Sequence, residues 1–151
     1  MADPDPAAEI EHLALKLLGI REHSRLELAR KLRARGYAPD AIEAVLARLA
    51  AQGALDEARL AETYIAERAG KGFGPLRIRA ELREKGLTDA TIAHVLDTRD
   101  DEWPARLEQA HARRFGQTPP TDQADYGRRG RFLEQRGFPT ELIRRHLSRK
   151  D

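Results

Sequence analysis

The basic side chains of this chain gather in two stretches, and what they are suited to is holding anions. Residues 68–86 carry six bases (Arg68, Lys71, Arg77, Arg79, Arg83 and Lys85) against two acids, Glu81 and Glu84. Residues 106–150 carry eleven bases against five acids. The formal net charge is nevertheless only +2, and residues 1–12 hold four acids with no Lys or Arg. Segregation of this kind suits a surface that faces phosphates or carboxylates. Other chemistry finds little support. Gly70-Lys71-Gly72-Phe73-Gly74 opens a helix and could bind an anion through free backbone N–H groups. It lacks the Gly-Lys-Ser/Thr spacing of a phosphate-binding loop, so it reads as a flexible connection. Five histidines, at 12, 23, 94, 111 and 146, show no metal-ligand spacing. There is no cysteine, no Gly-x-Ser-x-Gly and no carboxylate cluster. The expectation is a binding protein and not an enzyme, with no catalytic residue, metal or cofactor.

These side chains must be positioned by a repeated element. Gly36, Gly86 and Gly137 lie 50 and 51 residues apart in one frame. Each has a leucine four residues before it (Leu32, Leu82, Leu133) and a base immediately before it (Arg35, Lys85, Arg136). Each also has an isoleucine six residues after it (Ile42, Ile92, Ile143) and a leucine ten after (Leu46, Leu96, Leu147). A period of this length marks stacked repeat units. After the glycine, Ile42, Val45, Leu46 and Leu49 follow the i, i+3, i+4, i+7 spacing of one helix face. Before it, Leu28 and Leu32, then Ile78 and Leu82, form i, i+4 pairs on another helix. The glycine therefore sits just past a helix end, where a residue without a Cβ turns most easily. Pro39, Thr88 and Pro139 suit the next helix start.

A leading helix precedes each pair. Ile10, Leu13, Ala14, Leu17 and Leu18 form its stripe in the first unit; Ala58, Ala61, Tyr64, Ile65 and Arg68 in the second; Trp103, Leu107 and Ala110 in the third. Ser24-Arg25-Leu26-Glu27 has the capping-box pattern. The fold expected is all-α: an elongated tandem array of three three-helix repeats, about nine helices and no β-sheet. The repeats are placed at 7–53, 54–100 and 101–151, behind a disordered acidic lead-in at 1–6. Units of about 50 residues bury too little surface alone and gain by sharing apolar faces.

No apolar run approaches the ~18 residues that span a bilayer, and residues 1–6 lack the positive start and apolar core of a signal peptide. A cytoplasmic monomer without membrane contact is expected. In the third unit Arg129 stands where Leu28 and Ile78 stand, and His146 where Val45 and Val95 stand. The middle helix should pack differently there, with His146 partly buried. Gly130 should weaken that helix by up to ~1 kcal/mol. Trp103 and Phe115 read as core or seam residues.

The run from Leu55 to Leu87, with Lys71-Gly72-Phe73-Gly74-Pro75 followed by Ile78, Leu82 and Lys85-Gly86, resembles the central motif of the RecX family, regulators of the RecA recombinase. His23-Ser24 with Glu27-Leu28 and Lys31-Leu32, and Arg131-Phe132-Leu133 with Arg136-Gly137-Phe138, resemble its two flanking blocks. The resemblance covers roughly residues 10–148. It implies tandem three-helix repeats and a non-enzymatic modulator that binds the RecA filament on single-stranded DNA. That modulator would inhibit strand exchange and ATP hydrolysis, and so act in DNA repair, recombination and the SOS response. Under it, the contact residues are Arg68, Lys71, Arg77, Arg79, Arg83, Arg113, Arg114, Arg128, Arg129 and Arg131, acting by charge on RecA or on DNA phosphates.

A competing reading is a stand-alone DNA-binding protein. It is disfavoured because residues 39–49 contain only Arg48 as a base and residues 88–98 contain none. A nucleotide-dependent enzyme built on Gly70–Gly74 lacks a general base. The charge clusters generate a first test: reversing Arg77, Arg79 and Arg83 together weakens partner binding while the protein stays folded, and unchanged affinity removes the middle unit from the interface.

Overall fold

The computed structural model describes residues 5–148. Among these it contains nine α-helices: α1 (Pro6–Ile20), α2 (Arg25–Ala34), α3 (Pro39–Ala51), α4 (Glu57–Gly70), α5 (Pro75–Glu84), α6 (Asp89–Leu96), α7 (Trp103–Phe115), α8 (Gln123–Arg136) and α9 (Thr140–Leu147). One 3-10 segment, Asp97–Glu102, joins α6 to α7, and no strand occurs among the described residues. The helices fall into three triplets. The disordered lead-in expected at 1–6 lies outside the described residues for 1–4. Asp5 and Pro6 belong to α1 instead: the Asp5 carboxylate accepts from the Ala7 N–H and caps the helix.

The caps follow the local chemistry. Ser24 and Glu27 complete the capping box that starts α2. Asp56, Thr88 and Asp122 cap α4, α6 and α8 with side-chain oxygens. Gly36, Gly86 and Gly137 have φ of +94°, +94° and +101°, the left-handed turn that the repeat frame requires.

What joins the repeats is the contact made by these turns. The Gly137 carbonyl accepts from the Leu76 N–H at 2.9 Å, and the Gly74 N–H donates to the Arg136 carbonyl at 2.7 Å. The turn of the third repeat thus caps the start of α5 in the second. A Cβ on Gly74 would lie 2.6 Å from the Gly137 carbonyl carbon, which explains a glycine where α2 has its serine cap. A related arrangement, with a side-chain donor in place of the backbone pair, recurs one repeat earlier. Gly86 abuts Leu26 of α2, and the Ser24 hydroxyl donates to the Lys85 carbonyl at 2.5 Å. Among the described residues the turn of the first repeat has no such receptor, with nothing within 4 Å of a Cβ built on Gly36.

The apolar residues form two cores. One holds Ile10, Leu28, Leu32, Ile42, Leu46 and Leu49 of the first repeat. The other runs through the second and third repeats together, from Ile65, Ile78 and Leu82 to Trp103, Leu107, Leu133 and Phe138. The expected sharing of apolar faces therefore takes place between repeats two and three. Between repeats one and two the side-chain pairs are largely polar, beside the Gly86–Leu26 contact and Leu55 packed on the first core: Arg59 pairs with Glu22, Lys85 with Glu27, and the Arg25 N–H with Glu57.

Gly130 and Gly137 should respond oppositely to alanine. A Cβ on Gly130 meets Ile143 and Leu147 at 4.0 Å, an ordinary contact, so Gly130→Ala should stabilise by about 0.5–1 kcal/mol. A Cβ on Gly137 would lie 2.6 Å from the Arg77 nitrogen. Gly137→Ala should therefore cost more than Gly36→Ala, whose loss is only the ~1–2 kcal/mol of left-handed strain. Urea denaturation checks all three, and equal losses for the two turn glycines would show that the inter-repeat contact contributes nothing.

Candidate partner-binding seam

Docking the Gly137 turn on α5 brings aromatic and basic side chains of two repeats together. Phe73, just before α5, is surrounded by three guanidinium groups: Arg68 of α4 at 3.8 Å from the ring centroid, Arg77 of α5 at 4.5 Å and Arg136 of α8 at 4.6 Å. Arg136 also stands 5.1 Å from Phe132, where Arg114 of α7 approaches to 5.8 Å. Phe132 meets Phe115 edge to face at 5.4 Å. Phe115 in turn is approached by Arg114, Arg128 and Arg129 at 5.9, 5.5 and 5.2 Å. The result is a belt of three rings laced with six arginines. Each cation–π contact contributes roughly 0.5–1 kcal/mol at an exposed site.

At one end of the belt the charge is neutralised internally. The Arg68 guanidinium donates twice to Glu81, at 2.9 and 2.8 Å, and the Tyr64 hydroxyl donates to the same carboxylate at 3.0 Å. Burial pulls the Glu81 carboxyl upward, but the Arg68, Tyr64 and Arg77 hydrogen bonds outweigh it and hold it below its usual range. Burial, with the hydrogen bond and charge of Glu81, pushes the Tyr64 phenol up to about 12. Arg77 also donates to the Gln135 carbonyl at 3.2 Å across the seam. Including Arg77 in a charge-reversal variant would therefore disturb the fold, and Arg79 with Arg83 is the cleaner pair.

At the other end Arg129 is 4% exposed. Its guanidinium pairs with Asp125 at 3.0 Å, donates to the Thr118 carbonyl at 2.6 Å and lies 3.3 Å from His111 Nε2. The expectation that Arg129 meets a partner is corrected: it takes an aliphatic core position and is consumed inside the repeat. Removing Asp125 would leave the buried Arg129 guanidinium without its charge partner and destabilise the repeat. His146 Nε2 lies 3.1 Å from His111 Nδ1. A cavity of about 670 Å³ opens beside the two histidines and is also lined by Glu108 and Pro120. Among the described residues no group of three His, Cys, Asp or Glu side chains can hold a metal.

The Gly70–Gly74 stretch is corrected in two respects. It is not a loose connection, because Gly74 is held by repeat three. Nor does it offer free backbone donors. The N–H groups of Lys71, Gly72, Phe73 and Gly74 all donate to carbonyls, of Glu67 and Arg68, of Ala69, of Arg68 and of Arg136 respectively.

Of the ten arginines and lysines expected at the interface, Arg68, Arg77, Arg114, Arg128 and Arg129 enter the belt, and Lys71 and Arg113 border it. Arg79 lies at a separate cavity with Leu76 and Trp103, Arg83 pairs with Asp89 at 2.7 Å, and Arg131 is exposed outside the belt. Arg136, Phe73 and Phe132 were missed as site residues. Their repeated turn frame was visible in the chain, but the 58-residue contact between Arg77 and Gln135 that gathers them was not.

Fold and seam together define an all-helical tandem-repeat protein with a basic, aromatic-laced face between its second and third units. Three family models match, described as RecX first, second and third three-helix domains, over residues 12–49, 56–96 and 100–147. The regulatory protein RecX of Pseudomonas syringae pv. tomato (strain DC3000) is 42% identical over 144 residues, covering 95% of this chain and 93% of that protein. That of Halorhodospira halophila is 41% identical over 145 residues, covering 95% and 90%. The chain belongs to the RecX family. Its fold also matches the crystal structure of RecX from Lactobacillus salivarius, with a TM-score of 0.79 at 22% identity over 95% of this chain and 97% of that one. Among the described residues no helix is long and apolar enough to cross a membrane.

The His111 cluster predicts a pH dependence. Burial, reinforced by the charges of His146 and Arg129 and opposed by Asp125, lowers the His111 pKa from 6.5 to about 4. The Arg128 hydrogen bond, then the Thr121 N–H and Arg129, hold Asp125 well below its usual range. The unfolded chain thus binds a proton at His111 that the folded chain refuses between these two pKa values, so stability falls as pH drops from 6.5 toward 4. His111→Gln should flatten that part of the urea-midpoint profile, and parallel profiles for the two proteins would remove His111 from the account.

Proposed function

We propose that this chain is a non-enzymatic regulator that binds RecA and its filament on single-stranded DNA, and restrains recombinase and ATPase activity during DNA repair and recombination. The observation that carries the reading is family membership through all three repeats, joined to a basic face that continues across repeats two and three where Arg136 meets Phe73. Partners presenting carboxylates or phosphates complement that face, and contacts of this kind weaken with salt. Arg113, Arg114 and Arg131 are exposed and carry no ion pair among the described residues, so their charge faces outward. Strand phosphates within the filament are a second target for the same side chains. A chain of stacked repeats can touch successive protomers, because each repeat contributes an equivalent helix triplet.

The test is RecA ATPase on single-stranded DNA with this protein titrated in. Inhibition is expected, and it should weaken as salt is raised. Inhibition far below one copy per protomer indicates action at filament ends, whereas inhibition only near stoichiometry indicates occupancy along the filament. No effect of folded protein on a matched RecA would overturn the reading.

A further inference from the structure

One cavity of the seam has an unusual lining. It is a concave space of about 210 Å³ between repeats two and three, bordered by Lys71, Arg113, Arg114 and Arg136 together with Gly72 and Phe132. Among the described residues no carboxylate lines it. Among the described residues Lys71 alone of the four bases has an acidic partner, Glu67 at 3.1 Å one turn earlier, with both side chains more than half exposed. The Arg114 and Arg136 guanidinium groups lie 5.8 and 5.1 Å from the Phe132 ring centroid, within cation–π range, and neither makes an ion pair among the described residues. Arg113 is exposed and likewise without an ion pair among the described residues.

The bases have a bland competing role, since they sit in the last turns of α4, α7 and α8 or at their caps, where positive charge offsets the helix dipole. The magnitudes decide against that role being sufficient. Three helix ends carry roughly −0.5 each, about −1.5 in total. Four cations, one of them shared with Glu67, exceed this by about +1.5. That surplus, held in a concavity, matches a group with several oxygens and more than one negative charge. A phosphate monoester carries about −1.5 to −2 at neutral pH and three terminal oxygens. A backbone phosphodiester offers one charge and two free oxygens, and a carboxylate likewise.

We propose that this pocket binds a terminal phosphate, recognised by Arg113, Arg114, Arg136 and Lys71, as carried by the end of a nucleic-acid strand. A free nucleotide bears the same group and is the other source. The inference stands on the pocket alone, and RecA takes no part in its test.

The experiment compares short oligothymidine strands, labelled at the 3′ end and bearing either a 5′-phosphate or a 5′-hydroxyl, by fluorescence anisotropy with the full chain at physiological ionic strength. The phosphorylated strand should bind about fivefold or more tightly, the worth of one further charge-assisted contact. The preference should vanish in Arg113→Gln/Arg114→Gln and persist in Arg79→Gln, which alters a base at another cavity. Lys71→Gln/Arg113→Gln carries the test should the first variant lower the denaturation midpoint. Competition by AMP or inorganic phosphate as strong as that of the phosphorylated strand would support the phosphate site with a small molecule as its source. Equal binding of the two strands would overturn the proposal, as would a preference that survives both double variants. Displacement of the strand by an oligoglutamate peptide as effectively as by a phosphate would overturn it in favour of a carboxylate site.

Discussion

The structure depends on one contact, the seating of a glycine turn on the first turn of a helix one repeat back. Backbone meets backbone there: Gly137 offers its carbonyl to the Leu76 N–H while the Gly74 N–H reaches the Arg136 carbonyl. Only glycine permits the left-handed turn at such close range. The contact also satisfies donors at a helix start, which a residue without a side-chain cap would leave exposed. Because it is a backbone contact with little slack, it fixes the register between repeats more tightly than apolar packing alone. The basic seam follows from it, since Phe73 can meet Arg136 only once that turn is in place.

The two junctions built on this contact are not equal. Between repeats two and three it is backed by a continuous apolar core, and between repeats one and two by ion pairs and a hydroxyl bond. Surface ion pairs contribute about 0–1 kcal/mol each, well below the contribution of buried aliphatic side chains. The third repeat differs in its own interior. Asp125 stands at the position of Ser24 and Gly74, but α8 begins earlier, at Gln123, so this residue lies inside the helix and its carboxylate serves Thr121, Arg128 and Arg129. The receptor that the first two repeats offer to a following turn is thus replaced by a polar cluster.

The positive charge of the chain is divided accordingly. Arg129 and Arg68 are neutralised inside the fold and act as structural cations, Arg77 is tied across the seam, and Arg113 and Arg114 remain outward. A count of bases therefore overstates the charge a partner would meet. The Phe132 ring matters because it draws two guanidinium groups to one pocket, at 5.8 and 5.1 Å from its centroid.

Much of this fold was determined locally and was legible in the chain. Helix stripes, the Ser24–Glu27 capping box and the three turn glycines each depend on residues within a few positions of one another, so periodicity alone discloses them. The identity of the core followed, since Ile42, Ile78, Ile92 and Leu133 occupy the inward positions of those stripes. What only the tertiary structure decided was the fate of each basic side chain. Arg129 and Arg131 stand two residues apart in one helix, yet one is buried on Asp125 and the other exposed. The Gly70–Gly74 stretch looked free and is tied by a carbonyl from the third repeat. Long side chains and backbone donors take their partners from whatever packs against them, and partners such as Gln135 for Arg77 and Arg136 for Gly74 lie tens of residues away, beyond the reach of any local pattern.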